Sequence, residues 1–467
     1  MAANLQKTLV NSENSEPGEE SRAPARRQSC GQTVSAETIF APASGAGVAG
    51  IAVIRISGPR ADKVLAALTD QPLPPPRQAT LRRLHDADGD PLDEALVLRF
   101  AAGGSYTGEP VVELHCHGGR AVVAAVLRTL ADLPGCRLAE PGEFTPRALE
   151  HGRLDVPAVE ALGDLLTAET ERQRRQALVA LGGALQRQAE HWRATLLQAL
   201  ALIEATLDWA DEEVPPDVGP EVAAHLSDVC TGIRRELALS EGARQLREGF
   251  EVAILGAPNV GKSTLFNVLA GREAAIVSPV SGTTRDVLEL RYDLGGLPVI
   301  FLDTAGLRAG GDAIEAEGIA RAAGRARAAA LRLFLHSADA APPGMEDELR
   351  RPGDLRVWTK SDLGAGPGDV AISARTGEGM EALLGRIEEE LAGRIAEPGL
   401  AGHLRQQRVL EEAAGALERA EAALGEGHTE LCAEDLRAAF RALERLLGRV
   451  GVEEVLDEVF ARFCLGK

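Results

Sequence analysis

The residues with the clearest chemical capacity are Lys262 and Ser263, which close the run Gly256-Ala257-Pro258-Asn259-Val260-Gly261-Lys262-Ser263. The two glycines let the backbone turn tightly enough for its N–H groups, including those of Val260, Gly261 and Thr264, to cradle phosphates. Lys262 reaches the outer phosphates and the Ser263 hydroxyl is a magnesium ligand. The apolar Val252-Ala253-Ile254-Leu255 before the run predicts a strand, and Thr264 to Leu269 after it predicts a helix, whose N-terminus adds partial positive charge. Further on, the buried-strand pattern Ile300-Phe301-Leu302 ends in Asp303-Thr304-Ala305-Gly306. Asp303 is placed to hold the magnesium shell through water, and the Gly306 N–H to approach a γ-phosphate. Between the two lies Ser281-Gly282-Thr283-Thr284-Arg285-Asp286, in which Thr284 is the candidate to complete magnesium coordination.

The base is read elsewhere. Val357-Trp358-Thr359-Lys360-Ser361-Asp362 resembles the guanine-reading strand end of GTPases, with Asp362 accepting from both guanine N–H groups, and Ser373-Ala374-Arg375 resembles their last guanine loop. Two residues depart from the pattern. Thr359 stands where an Asn usually braces the phosphate loop, so weaker nucleotide affinity is expected. Leu307 follows Gly306 where Ras-like proteins carry the glutamine that orients attacking water, so another residue or ion must do that work.

These residues need a scaffold larger than one domain. At 467 residues the chain accommodates two or three domains, and the nucleotide unit accounts for about a third of it. A net charge of −20, from 50 basic and 70 acidic side chains, argues against nonspecific nucleic-acid binding, so an RNA partner needs a local basic patch. Arg172, Arg174 and Arg175 form one such cluster, although a solvated helix face explains them better. The six cysteines, Cys30, Cys116, Cys136, Cys230, Cys432 and Cys464, lack the close pairs of a zinc site or a disulfide framework, which fits a reducing, cytoplasmic compartment. In His115-Cys116-His117 only the two histidines share a strand face, too few for a structural metal. No apolar run approaches the ~20 residues that span a bilayer, so no membrane role is expected.

Composition divides the chain into segments. Residues 1–36, polar and rich in Glu and Pro, read as a disordered extension. Residues 37–153 alternate short apolar strands (Ile51 to Ile56, Ala95 to Phe100, Val111 to His115) with helices, an α+β pattern. Residues 154–248 turn to Ala, Leu, Glu and Arg at helical spacing. A P-loop α/β unit covers 249–400. Amphipathic helices resume over 401–467, from Leu404 to Leu424 and from Ala433 to Phe463, with Gly425 as the expected stop of the first. Helical sequence on both sides suggests a nucleotide domain inserted into one bundle; a linear string of domains is the alternative.

Several further segments carry a family resemblance: Arg55-Ile56-Ser57-Gly58, Tyr106-Thr107-Gly108-Glu109, Gly118-Gly119, Pro141-Gly142-Glu143-Phe144-Thr145, Arg153-Leu154-Asp155 and the terminal Phe463-Cys464-Leu465-Gly466-Lys467. Together with the nucleotide motifs they resemble the MnmE (TrmE) family, GTPases that help modify wobble uridine in tRNA. The resemblance implies a folate-binding-like N-terminal domain that dimerises and holds a tetrahydrofolate derivative through Arg55, Glu113, Arg153 and Lys467. It implies a potassium ion, held by Asn259, Ser278, Val280 and Thr283, in the place of an arginine finger, with Ser278 and Thr283 also close to GTP. It implies that Glu315 orients the attacking water, beside Lys262 and Asp303 as catalytic groups. It implies, finally, a homodimer working with an MnmG-like flavoprotein on C5 of the tRNA wobble uridine. Two other functions stay open from the residues alone: a ribosome-assembly GTPase, and a folate-binding module with a vestigial GTPase, the latter prompted by Thr359 and Leu307.

Overall fold

A computed structural model describes residues 37–45, 47–208, 218–276, 288–303, 324–339, 346–364, 366–395 and 399–450. The first unit is a mixed sheet of β1 (Thr38–Pro42), β2 (Ala49–Ser57), β3 (Thr80–His85), β4 (Pro91–Phe100), β5 (Val111–Gly118) and β6 (Cys136–Leu138), in the order β3-β4-β5-β2-β1-β6. All neighbours are antiparallel except β6 with β1. Helices α1 (Ala61–Leu68) and α2 (Arg120–Asp132) cover one face, burying Val64, Leu65 and Leu68 together with Val126 and Leu130 against Ile54, Ile56, Val112 and Leu114. Strand alternation sends the intervening Arg55, Glu113 and His115 to the opposite face. Cys116 belongs to the buried face, where burial, with Asp93 adding to it, pushes its thiol up to about 12, so it is no nucleophile at neutral pH. His117 pairs with Asp93 at 2.7 Å, and among the described residues no group of three or more His, Cys, Asp or Glu could hold a metal.

A helical segment follows: α3 (Phe144–Glu150), α4 (Val156–Thr167), α5 (Glu171–Leu181), α6 (Ala184–Asp208) and α7 (Gly219–Glu248). Local chemistry starts two of them. Asp155 accepts from the Ala158 N–H at 2.8 Å with Pro157 in the first turn, and Thr170 and Gln173 form a reciprocal capping box.

The second sheet runs β7 (Phe250–Gly256), β8 (Ala275–Ile276), β9 (Leu288–Leu294), β10 (Leu297–Asp303), β11 (Leu331–His336), β12 (Leu355–Trp358) and β13 (Val370–Ala371), in the order β13-β12-β11-β7-β10-β9-β8. β7, β10, β11, β12 and β13 are parallel. The central strands β7 and β10 are buried along almost their whole length, which is why they read as unbroken apolar runs. α8 (Lys262–Ala270) and α9 (Met380–Ala392) pack on this sheet.

The chain then returns to the bundle as α10 (Leu404–Gly425) and α11 (Thr429–Leu446). One core takes Trp192, Leu196 and Ile203 from before the second sheet together with Leu410, Leu417, Leu436 and Leu443 from after it. The nucleotide segment thus lies between two halves of one helical core. The two connections are tied to α4 and α5: Gln173 donates to the Arg247 carbonyl (3.0 Å), Arg247 to that of Gly402 (3.0 Å), and His403 meets Asp164 at 2.8 Å. Arg291 of β9 pairs with Glu169 at 2.9 Å. Arg174 and Arg175 both pair with Glu171 at 2.7 Å, so that basic cluster is partly neutralised within its own helix.

Two helix ends differ from the sequence expectation. Gly425 is the last residue of α10, and the stop is made by Gly427 at φ 77°, whose N–H bonds back to Leu424 while His428 reaches Ala423. Likewise α11 starts at Thr429, before the expected Ala433, and ends at Leu446; the stretch from residue 451 to the expected Phe463 lies outside the described residues. Gly448 at φ 75° and the Arg449 N–H to Glu444 carbonyl bond close it in the same way. No described helix is long and apolar enough to cross a membrane.

Candidate functional site

The phosphate loop joins β7 to α8 at the C-terminal edge of the parallel strands, where open α/β sheets bind ligands. Its turn requires left-handed backbone at Asn259 (φ 61°), a residue type that tolerates it, and at Gly261 (φ 108°). The Lys262 ammonium lies 2.8 Å from the Gly256 carbonyl and 2.8 Å from that of Ala257, folded across the mouth of the loop. Ser263 and Thr264 are exposed on the first turn of α8. Asp303 ends β10 in register with Ile254 of β7, which brings its carboxylate to the same edge. An exposed hydroxyl and a carboxylate at one helix mouth are hard oxygen donors and fit magnesium.

Thr359 does what its type did not promise. Its buried hydroxyl donates to the Val260 carbonyl at 2.5 Å, and its N–H donates to the His336 carbonyl at 2.7 Å. A brace between this strand and the phosphate loop is therefore present, made by a hydroxyl in place of an amide. Thr359→Val should leave that carbonyl without its donor, at about 1–3 kcal/mol, and weaken GDP binding about tenfold in a fluorescent-nucleotide titration, whereas Thr359→Asn should bind nearly as the parent does.

Asp362 is reached from two sides. Ser373 Oγ donates to one oxygen at 2.7 Å and Arg375 to the other at 2.6 Å, and these contacts, Ser373 first, hold the carboxyl below its usual range. It is thereby kept an acceptor. Ala374 follows Ser373 on the same loop, which is pinned by the Ile372 N–H to the Trp358 carbonyl (2.7 Å).

On the N-terminal sheet, Arg55 and Glu113 are register partners joined at 3.0 Å. The guanidinium lies 5.2 Å from the Tyr106 ring centroid and 5.7 Å from that of Phe144, a pair of cation–π contacts that the sequence did not announce. Arg153 is exposed and flanks Gly108, where an added β-carbon would stand 3.3 Å from its Cγ. Several family-like segments have a structural role here. Ser57 Oγ donates to Glu109 at 2.7 Å, Glu109 pairs with the buried Arg147 at 3.1 Å, and Arg147 meets Glu143 at 3.2 Å. Arg147 was missed because, apart from Glu143 one helical turn before it, its partners Glu109 and the Glu37 carbonyl lie far away in sequence.

Ser278, Val280, Thr283, Thr284, Thr304, Ala305, Gly306, Glu315 and Lys467, with Leu307 and Cys464, lie outside the described residues.

Comparison with known proteins places this geometry. A family model described as the MnmE helical domain matches residues 157–464, and one described as the GTP-binding protein TrmE N-terminus matches residues 38–153. A protein of Cereibacter sphaeroides called tRNA modification GTPase MnmE is 54% identical over 433 residues, covering 92% of this chain and 100% of the relative. Proteins of the same description from Ruegeria pomeroyi (52% over 433 residues) and a Methylobacterium species (52% over 447 residues) also cover 92% of this chain and 100% of their own length. Among solved structures, the G domain of the Thermotoga maritima FeoB iron transporter is 26% identical over 30% of this chain and 98% of its own, with a TM-score of 0.23.

Proposed function

Because the chain belongs to the MnmE family and is a tRNA modification GTPase, we propose that it hydrolyses GTP with potassium stimulation and works with a flavin-dependent partner on C5 of wobble uridine, using a tetrahydrofolate one-carbon unit. The observation that carries the nucleotide half is the pairing of an acceptor-only Asp362 with a phosphate loop braced by Thr359. Lys262 and the loop N–H groups hold the phosphates; Ser263 with Thr284 would ligate magnesium, Asp303 would hold its shell through water, and the ion would supply positive charge against the phosphates. Asn259, exposed on the loop, is a potassium ligand, with Ser278, Val280 and Thr283 completing the set and Glu315 orienting the water in place of Leu307. Arg55 and Glu113 on one face of the sheet, and Arg153 beside Gly108, offer cationic and anionic groups that suit the polar ring and carboxylates of a folate, with Lys467 as the fourth contact. The active species is a cytoplasmic homodimer bound to an MnmG-like flavoprotein and tRNA.

GTP turnover by the purified chain in potassium and in sodium buffer tests the reading, with Asn259→Ala as control. Potassium is expected to raise the rate by tenfold or more, a barrier drop of about 1.4 kcal/mol, and the control to abolish the difference. Equal rates in both salts would remove the ion from the mechanism. Absence of turnover would revive the folate module with a vestigial GTPase. Full wobble modification in cells lacking the protein would return the ribosome-assembly reading to first place.

A further inference from the structure

Lys360 stands two residues before the base-reading carboxylate, with φ 56°, a left-handed backbone that a non-glycine residue keeps only when its surroundings hold it there. One hold is visible. Its Nζ is 2.7 Å from Oδ2 of Asp339, just beyond the end of β11. Oδ1 of the same carboxylate accepts from Ser337 Oγ at 2.7 Å, and Lys360 first, then Ser337, keep the Asp339 carboxyl below its usual range. The His336 carbonyl, at the end of β11, takes the Thr359 N–H. The segment from His336 to Asp339 therefore grips both residues that lead into Ser361 and Asp362, although it belongs to none of the nucleotide motifs.

We propose that Asp339 is a positioning residue of the guanine site: it anchors the Lys360 ammonium, which fixes the Lys360 backbone and stem and so presets Asp362 for the base. This rests on the guanine-pocket reading given above. A long lysine ordered before binding does not have to be ordered by the nucleotide, which is the physical source of the affinity gain. Both partners are partly exposed, at 30% for Lys360 and 60% for Asp339, so the gain is bounded at about two- to fivefold and is screened by salt.

The test uses the full chain, with equilibrium titration of fluorescent GDP and a non-hydrolysable GTP analogue, and steady-state GTP turnover. Asp339→Asn is expected to raise Kd and KM by about two- to fivefold with kcat unchanged, Asp339→Glu to restore both, and about 0.5 M salt to erase the difference. In a Lys360→Met background, Asp339→Asn is expected to cost nothing further, because the anchor then has nothing to hold. Wild-type affinity in Asp339→Asn, an equal loss with and without Lys360, or a fall in kcat at unchanged KM would each overturn the proposal. A parent protein that binds ATP as tightly as GTP would overturn the guanine-pocket reading itself, and this proposal with it.

Discussion

Asp362→Asn is expected to lower GTP affinity by about 10²- to 10⁴-fold and to raise affinity for xanthosine triphosphate. Guanine offers two N–H donors on the edge that Asp362 is proposed to read, and a hydrogen bond to a charged acceptor contributes about 1.5–3 kcal/mol, so losing two amounts to about 3–6 kcal/mol. An amide in the same position presents an NH₂ group to the guanine amino group, donor against donor. Xanthine carries a carbonyl there and accepts from that NH₂. Ser373 and Arg375 keep the native carboxyl ionised, so the parent has no donor of its own to offer xanthine. The check is competition of GTP and XTP against a fluorescent nucleotide, with turnover of both. A GTP affinity within about threefold of the parent would mean that Asp362 does not read the base.

How much of this could be read from the sequence depends on how local each cause is. The strand, loop and helix around Lys262 were legible because buried parallel strands write continuous apolar runs and the loop needs glycine at a fixed position. Asp303 was legible for the same reason, as the residue ending such a run. The Thr359 brace was not, since its acceptor, Val260, lies 99 residues away and only the adjacency of β11 to both β7 and β12 brings them together. Residue type suggested a lost contact, and topology supplied another. The Asp339–Lys360 pair escaped notice likewise, because an aspartate shortly after an apolar strand has nothing in its neighbourhood to distinguish it from a turn residue.

The helical segments show the opposite limit. Amphipathic spacing predicted α10 and α11 but not their partners, and both inserted and linear arrangements suited it. Burial of Leu410 and Leu436 in the same core as Trp192 and Leu196 decides for one bundle split by the nucleotide segment. The stop of α10 falls at Gly427, two residues past the expected Gly425, because which of two nearby glycines adopts positive φ follows from the last backbone hydrogen bonds, not from composition.

Arg147→Met is expected to destabilise the N-terminal sheet by about 3–5 kcal/mol while leaving nucleotide affinity unchanged. Arg147 is almost fully buried. It donates to both oxygens of Glu109 (3.2 and 3.1 Å) and to the Glu37 carbonyl at 3.0 Å, and it pairs with Glu143 at 3.2 Å. Methionine fills much of the same space but strands the Glu109 carboxylate in a site only 5% exposed. The double change Arg147→Met with Glu109→Leu removes both charges and should recover most of the loss, which separates an uncompensated charge from simple mispacking. Hydrogen exchange of β1 and β2 in the full chain would measure it, and a single-variant cost below about 1 kcal/mol would show the pair to be dispensable. Acid should loosen the same network. Burial tends to raise the Glu143 carboxyl, but Arg137, the Glu140 N–H and Arg147 outweigh it and hold the group low. A depressed folded value means that its stabilising share is complete above the unfolded carboxyl range and disappears as pH falls through the folded one. The Tyr106 hydroxyl bonds Thr145 at 2.9 Å beside this network and its ring lies against Arg55, so the proposed folate contacts should fail with the sheet while the proposed guanine site, on its own core, does not.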